Sequence, residues 1–597
     1  MTLQAPVRGM ARAKYMGRAL LAPSLRLVAV LLSGAALVWW LDPVLFGIPN
    51  AGLLWRNALP VSLFALLLYG LSGRVLLSIW MTTATTWLVF AVDAIKERQM
   101  NAPLMPGDWV MEDQLLHHMD FFSHYTGNTL AIVLGLIVFL AVTILLWRFE
   151  RRWARPRLAT RVVWIVLAPV LLYLAFRGER PFGMIYSDAE LAGYQPWDPI
   201  KSDHQTGFMA GLVRMTQEAR IRIPKADMGA IAAFAQTHAE SLKSRTSRSV
   251  PAELPDIVVV QSEAFFDPGI MKGIELGDYA PNFERLAASG ITGSLHTPTY
   301  GGGTIRTEFE TLTGYPMAAF PSILYPYYGL AKKWMPSVPR RLQGFGYSTT
   351  LFHPFLADFW NRQEVMPALG FQHSYYANDF SAAAHAGFYV SDRALFDVVL
   401  KHLDHEDNTP SYSMIITMEN HGPWSLGVPE LPHALDGHTL PEGLSKGGTL
   451  QMTYYLSHLV NGDAALGDFA QSLMARPRWT VLLFYGDHLP SLDDAFQDVG
   501  FDDGRNYAYQ NTRYMLISNR PIKSRRRDLA AYELPSLLFD TLELPEDGYM
   551  AFDGAIRQAE ERQPGPDYGQ MSLNAARMEV RCERKLDMQG KCKKHLL

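Results

Sequence analysis

The sequence predicts an α-helical membrane domain of five spans, followed by an outer α/β domain with a mostly parallel sheet. Three observations carry that prediction. Uncharged apolar stretches crowd the first 177 residues. Beyond residue 255, short β-branched runs alternate with helical patterns, as strands joined by crossover helices do. Four of those runs end on a potential ligand or acid/base residue. The overall composition hides this division, because 49% hydrophobic and 19% charged residues are ordinary for a soluble protein. With only 2 cysteines in 597 residues the fold is not a disulfide scaffold. The net charge of −4 is spread along the chain, which gives no basic stripe for nucleic acid.

The candidate spans are Leu27–Leu41, Asn57–Gly73, Val75–Val92 behind a lone Arg74, Tyr125–Trp147 and Val162–Phe176. Each approaches the ~20 residues that a helix needs to cross the hydrocarbon core. So many uncharged segments in so short a stretch leave no soluble partner against which to bury them. Lys/Arg bias sets the orientation. Arg8, Arg12, Lys14, Arg18 and Arg26 precede the first span, and Arg148, Arg151, Arg152, Arg155, Arg157 and Arg161 separate the last two, so both segments are expected on the cytoplasmic side. The loop 93–124 carries Asp108, Glu112, Asp113 and Asp120 against Lys96 and Arg98, which suits the outer side. An odd number of spans then places everything after Arg177 outside. The long basic leader, with no small-residue cleavage site after Trp39-Trp40, reads as an uncleaved anchor.

The expected division is a transmembrane domain over 1–177, a connector along the membrane surface over 178–250 with an amphipathic stretch at Met228–Leu242, a catalytic domain over 251–562 and a tail over 563–597. Cys582 and Cys592 lie ten positions apart in that tail, where an oxidising compartment permits a small disulfide loop.

The predicted strands are Asp256–Gln261, Tyr347–Phe352, Met414–Met418, Thr480–Tyr485 and Tyr514–Ser518. The first runs into Glu263, the second into His353, the third into His421, and the fourth into Asp487 and His488. Each residue alone is an ordinary turn or cap residue. Together they matter, because open α/β sheets bind ligands at the carboxyl ends of their strands. Asp487, His488 and Glu263 supply two carboxylates and an imidazole, a mixed set suited to Mn²⁺ or Zn²⁺. Tyr300-Gly-Gly-Gly-Thr304 then opens a helical pattern. Its glycines let backbone approach a ligand, and N–H groups at the helix start favour an anionic phosphate. Thr304 is the candidate nucleophile, a poor one unless a metal lowers the pKa of its hydroxyl. Phe359-Trp360-Asn361-Arg362 adds an aromatic face and a guanidinium suited to phosphate. His421-Gly-Pro-Trp424 puts an imidazole in a turn where it can meet a leaving or attacking oxygen.

These motifs resemble the membrane-anchored phosphoglycerol transferases of the sulfatase-like superfamily, of the lipoteichoic acid synthase type. The resemblance rests on Ser262-Glu263, Gly-Gly-Thr304 with Glu308-Phe309 following, Phe359-Trp360-Asn361-Arg362, His421-Gly-Pro and Gly486-Asp487-His488. It implies a sulfatase/alkaline-phosphatase-like fold, in which Glu263, Thr304, Asp487 and His488 hold one divalent metal, Mn²⁺ favoured with Zn²⁺ or Mg²⁺ as alternatives. Thr304 is then the nucleophile, and His353, Trp360, Arg362 and His421 contact the head group. The implied reaction moves phosphoglycerol from phosphatidylglycerol to a glucan or polyglycerolphosphate-type acceptor outside the bacterial cytoplasmic membrane, by way of a phospho-threonine, and releases diacylglycerol. Sulfate-ester hydrolysis is disfavoured, because true sulfatases modify a Cys or Ser within a Cys/Ser-x-Pro-x-Arg motif, whereas the catalytic region here has no cysteine and Ile305-Arg306 follows Thr304. A phosphoethanolamine transferase on the same scaffold and a non-catalytic lipid- or glycan-binding pseudoenzyme are the competing readings. A transporter is not favoured, since the spans offer no polar pathway.

Overall fold

The computed structural model describes residues 25–47, 51–100, 103–106, 108, 129–150, 158–187, 189–191, 193–194, 199–218, 223–274, 279–321, 323, 325–331, 335–405, 409–424, 431, 434–546, 548–565 and 568–589. The basic leader up to Arg18, the basic loop 151–157, the loop acids Glu112, Asp113 and Asp120, and Cys592 lie outside the described residues. The chain divides into two compact units, Met1–Arg220 and Ile221–Leu597.

The first unit is helical. Ala51–Ser72, Val75–Glu97 and Leu158–Arg177 are long and apolar enough to cross a membrane. The described apolar parts of the other two expected spans, Leu25–Leu41 and Leu134–Phe149, are shorter, so three spans rather than five meet the length criterion among the described residues. Polar ties show that these helices alternate in direction. The Glu150 carboxylate accepts the Leu76 and Leu77 amides at 3.0 and 2.9 Å, joining the end of Thr129–Phe149 to the start of Val75–Met100. Arg161 at the start of Leu158–Arg177 donates to Gly70 O at the end of Ala51–Ser72. At the opposite end, Asn57 donates to Thr206 O and accepts the Ala210 amide, while Asp42 accepts the Phe208 amide. The lone Arg74 is accommodated rather than solvated: its guanidinium donates to Leu146 O and stacks over Trp147. Ile137, Val138, Ile144 and Val166 each remain more than half exposed, as lipid-facing side chains do.

The second unit is built on a nine-stranded sheet. Its main strands are β1 Asp256–Ser262, β2 Ile291–His296, β3 Ser348–Phe352, β4 His373–Tyr375, β5 Ser411–Ile416, β6 Thr480–Gly486 and β7 Thr512–Ser518. The order runs β2, β7, β6, β1, β5, β3, β4, with Arg525–Arg526 and Leu529–Ala530 both pairing with β2. Strands β6, β1, β5, β3 and β4 are parallel, and β7 is antiparallel to both of its neighbours. Every residue of β1, β5 and β6 is buried, which is why these runs read as continuous rather than alternating. Phe265, Phe283, Phe396, Tyr455, Phe469 and Phe484 pack in the core on one side of the sheet.

Two sequence expectations take a different form here. The boundary between the units falls at Arg220, inside the stretch read as a connector. The helices Met228–Thr237 and Ala239–Thr246 pack on the second unit, with Phe234 against Phe552 and buried Arg245 bonded to Glu546 at 2.7 Å. Part of the tail is also structured. Tyr568–Gln589 is a helix whose Ala575, Ala576 and Val580 are fully buried, and its Arg577 donates to Ala319 O. Cys582 in that helix is disulfide-bonded.

Candidate active site and metal centre

Strand register assembles the site. Ser262 of β1 lies opposite Gly486 of β6, so Glu263 and Asp487 leave the sheet side by side. Phe352 of β3 lies opposite Ile415 of β5, which places His353 level with Ile416. All these strands are parallel, so the polar residues reach the same edge of the sheet, 225 positions apart at the extremes by number (488 − 263). Gly486 is required where it stands. A Cβ there would lie 1.9 Å from Phe265 O, because the turn that carries Glu263 crosses directly over it.

Glu263, Asp487 and His488 are all buried, and their ligand atoms lie within 4.8 Å of one another. The Asp487 Oδ1 accepts the amides of Ala264 and His488 at 2.8 and 2.9 Å. Its Oδ2 is buried without a hydrogen-bond partner among the described residues. His488 Nδ1 donates to Leu489 O at 2.9 Å, which leaves the Nε2 lone pair turned toward the carboxylates. That nitrogen is 3.5 Å from Glu263 Oε1, 3.4 Å from Asp487 Oδ2 and 3.5 Å from Thr304 Oγ1. Thr304 Oγ1 is in turn 3.4 Å from Glu263 Oε2. Such separations are long for hydrogen bonds. They suit ligand atoms around an ion, since donors about 2.1 Å from a tetrahedral centre lie roughly 3.4 Å apart. Burial, with Asp487 adding to it, pushes the Glu263 carboxyl up to about 8, the direction a cation would reverse. The donor set therefore fits one divalent metal, which Glu263, Asp487 and His488 would hold with the Thr304 hydroxyl beside them.

Thr304 sits at the N-cap position of the helix Ile305–Thr313, its hydroxyl making no capping bond, and follows Gly301, Gly302 and Gly303, all at positive φ. Glycine alone takes such a run without strain. It turns the chain so that the threonine hydroxyl and the helix start share one side.

A second cluster adjoins the first. The Arg362 Nε and Nη2 grip both oxygens of Glu308 at 3.2 and 2.7 Å, and Tyr327 donates to the same carboxylate at 2.6 Å. Arg362 Nη1 donates to His353 Nε2 at 3.1 Å, and His353 Nδ1 donates to Ile416 O at 3.2 Å. Burial, then the Arg362 charge, holds His353 well below its ordinary value, so its imidazole is neutral. Trp360 and Asn361 both adopt left-handed backbone, with φ of 58°, a costly geometry for two non-glycine residues in sequence. Trp360 is thereby turned in against Tyr325. His421 Nδ1 donates to Gly422 O at 2.8 Å beside the Tyr389 hydroxyl, leaving Nε2 as an acceptor. Burial lowers His421 as well, while Asp487 opposes that shift from within electrostatic range.

Comparison with known proteins finds similarity over this domain. Residues 255–534 match the family model described as Sulfatase. The chain carries a sulfatase-like domain. It is 26% identical over 420 residues to a Rhizobium meliloti (strain 1021) protein named for cyclic beta-1,2-glucan modification, a match covering 68% of this chain and 62% of that protein. It is 32% identical over 261 residues to the capsular polysaccharide biosynthesis protein RkpI of the same organism, covering 42% and 44%. The matches therefore span less than two thirds of either relative. Among solved structures, the phosphoglycerol transferase GacH of Streptococcus pyogenes, in complex with sn-glycerol-1-phosphate, shares the fold with a TM-score of 0.52 and 20% identity, covering 62% of this chain and 99% of that one.

Around the sulfatase-like site the structure brings in residues that sequence reasoning did not assign. Glu308 was legible as part of a motif but not as the counter-charge of Arg362. Tyr389 comes from a two-stranded hairpin, His385–Ala386 with Tyr389–Val390, too short to leave a periodic signal. Behind His421, Glu419 accepts the Asp392 amide at 2.8 Å and bonds to Asn461. The Met-Glu-Asn-His run after β5 was a usable signal for Glu419, since it directly precedes the turn.

Proposed function

We propose that this protein is a membrane-bound, metal-dependent phosphoglycerol transferase. It moves phosphoglycerol from phosphatidylglycerol to a hydroxyl of an extracytoplasmic glucan or polyglycerolphosphate-type glycopolymer. The observation that carries this reading is the placement of Thr304 Oγ1 at a helix start, 3.4 Å from Glu263 and 3.5 Å from His488, in a site with an unpartnered Asp487 oxygen. A hydroxyl so placed is a nucleophile for phosphorus. Support for the acceptor class comes from the relatives, one named for glucan modification and one for capsular polysaccharide biosynthesis.

When bound, the divalent cation lowers the pKa of the hydroxyl and offsets the charge that develops at phosphorus. Thr304 Oγ forms a bond to phosphorus while the bond from phosphorus to the diacylglycerol oxygen breaks. The proton given up by Thr304 passes through His421 Nε2 to the departing oxygen, so diacylglycerol leaves neutral. An acceptor hydroxyl then attacks the phospho-threonine, and its proton returns to Thr304. His353, Trp360, Arg362 and His421 would contact the glycerophosphate, with Arg362 contributing positive potential from within its Glu308 clamp. The site is expected on the outer face of the bacterial cytoplasmic membrane, where the lipid head group is within reach.

The test is release of diacylglycerol from fluorescent phosphatidylglycerol and, in parallel, phosphatidylethanolamine, by the purified full chain with Mn²⁺. Release from the first lipid but not the second is expected. Thr304→Ala should lower release by at least about a thousandfold, and intact mass of a trapped reaction should place a glycerophosphate adduct on Thr304. Undiminished turnover in that variant, or an adduct elsewhere, removes Thr304 as nucleophile. Release from phosphatidylethanolamine alone reassigns the donor.

A further inference from the structure

The helical unit contains a group of side chains that the transferase reading leaves unused. Glu97, near the end of Val75–Met100, meets Asp203 and His204 of the helix Pro199–Thr206. Each offers one ligand atom, and the three atoms lie within 4.8 Å of one another. His204 Nε2 is 2.6 Å from Glu97 Oε1. Asp203 is only 7% exposed, yet its Oδ1 has no hydrogen-bond partner among the described residues. A buried carboxylate oxygen left in that state is costly.

The surroundings deepen that cost. Asp93, Asp42, Glu97 and His204 all lie within electrostatic range of Asp203. Asp42 and Asp93 are satisfied by backbone amides, from Val44 and Phe208 for the first and from Leu104 for the second. Lys96 is taken up by Asp108 and Pro103 O, at 2.8 Å each. Among the described residues nothing comparable satisfies Asp203 Oδ1, which faces Gly211, where a Cβ would stand 3.8 Å away.

We propose that Glu97, Asp203 and His204 form a second metal site, one that binds a divalent transition-metal ion in the helical unit. Two carboxylates and an imidazole are a Zn²⁺ or Mn²⁺ donor set, with the remaining coordination position left to water. The site is accessible, because the His204 side chain is 57% exposed and that of Glu97 is 28% exposed. The bound ion pins the end of one candidate span to the helix that follows another, and it neutralises the acid cluster between them. This inference is independent of the transferase reading and of the catalytic metal.

The test uses the full chain in detergent, stripped with a chelator, loaded with Zn²⁺, desalted and analysed for metal by mass spectrometry. Wild type should retain about two equivalents per chain, Asp487→Asn about one, and Asp487→Asn combined with His204→Gln close to none. Zn²⁺ should also raise the unfolding temperature of Asp487→Asn but not that of the combined variant. His204 is largely exposed, so its replacement tests the site without threatening the fold. Asp203→Asn, which keeps the side-chain shape, should likewise lose one equivalent. A single equivalent in wild type that disappears with Asp487→Asn overturns the proposal, as does unchanged metal content in His204→Gln and Asp203→Asn.

Discussion

Replacing Glu308 should destabilise the second unit far more than replacing Glu308 and Arg362 together. Glu308 is fully buried and Arg362 is 1% exposed. The carboxylate accepts both guanidinium bonds and the Tyr327 hydroxyl. Glu308→Gln leaves the arginine charge buried with only His353 Nε2 and one amide oxygen to meet it. Breaking a buried pair on one side typically costs about 3 to 5 kcal/mol. For the unit Ile221–Leu597, at about 2.1 cal/mol/K of unfolding entropy per residue, that is a fall of roughly 4 to 6 °C in unfolding temperature. In the double variant Glu308→Leu with Arg362→Met, both desolvation penalties vanish together, and stability should return to within about 1 kcal/mol of wild type. The assay is unfolding of the full chain, followed by tryptophan fluorescence and run beside the lipid-release measurement. The double variant should be stable yet inactive, because His353 has lost the donor that orients it. If the double variant is destabilised as much as the single one, the ion pair is not the origin of the loss and the electrostatic reasoning fails.

His458 is buried, neither ring nitrogen makes a hydrogen bond among the described residues, Nδ1 stands 3.9 Å from Glu419 Oε1, and burial pushes it down to about 4 from 6.5. A lowered histidine contributes stability that is complete above the unfolded value and is lost as pH falls toward the folded one. About 2 kcal/mol should therefore disappear between pH 6.5 and about 5 in denaturant titrations, and His458→Phe should flatten that limb. Gly486→Ala should lower both stability and metal content, since its Cβ would overlap Phe265 O at 1.9 Å and displace the turn holding Glu263; a variant with wild-type metal content would contradict this. Tyr389→Phe removes the hydroxyl shared by His421 Nδ1 and Gly422 O. It should reduce lipid release by about tenfold while leaving metal content unchanged, and an unaltered rate would detach Tyr389 from the positioning of His421.

What could be read directly was the chemistry at the strand ends. Asp256–Gln261, Tyr347–Phe352 and Thr480–Tyr485 match β1, β3 and β6 to within one residue at either end. Parallel pairing then does the rest, because it brings every carboxyl end to one edge. β2 left no such trace, since Ile-Thr-Gly-Ser-Leu-His alternates weakly around a central glycine. The structure supplies the reason for that residue: a Cβ on Gly293 would lie 1.8 Å from Arg527 O, so the chain at 525–530 passes directly over the strand. Glycine inside a strand marks such close approaches, but the approaching segment lies more than 200 positions away.

The same limit separates the residues that reasoning from sequence finds from those it misses. Thr304, Glu263, Asp487 and His488 each carry their own signal, a glycine run or a strand end, and their meeting follows from topology. Glu308 carries none for its role. It sits within an ordinary helix, and only its partner 54 positions on makes it a counter-charge rather than a surface acid. Asp203 is a harder case, because an acid in a short polar helix reads as solvated. Its burial within electrostatic range of Asp42, Asp93 and Glu97 depends on how apolar helices alternate in direction, an alternation seen in polar ties such as Glu150 with Leu76 and Leu77. Buried charge is therefore where sequence is least informative about function: the cost of a charge depends on its neighbours, and those neighbours are chosen by the fold. For both Glu308 and Asp203 the decisive experiment follows from that point, since each pairs removal of one charge with a measurement of what had balanced it.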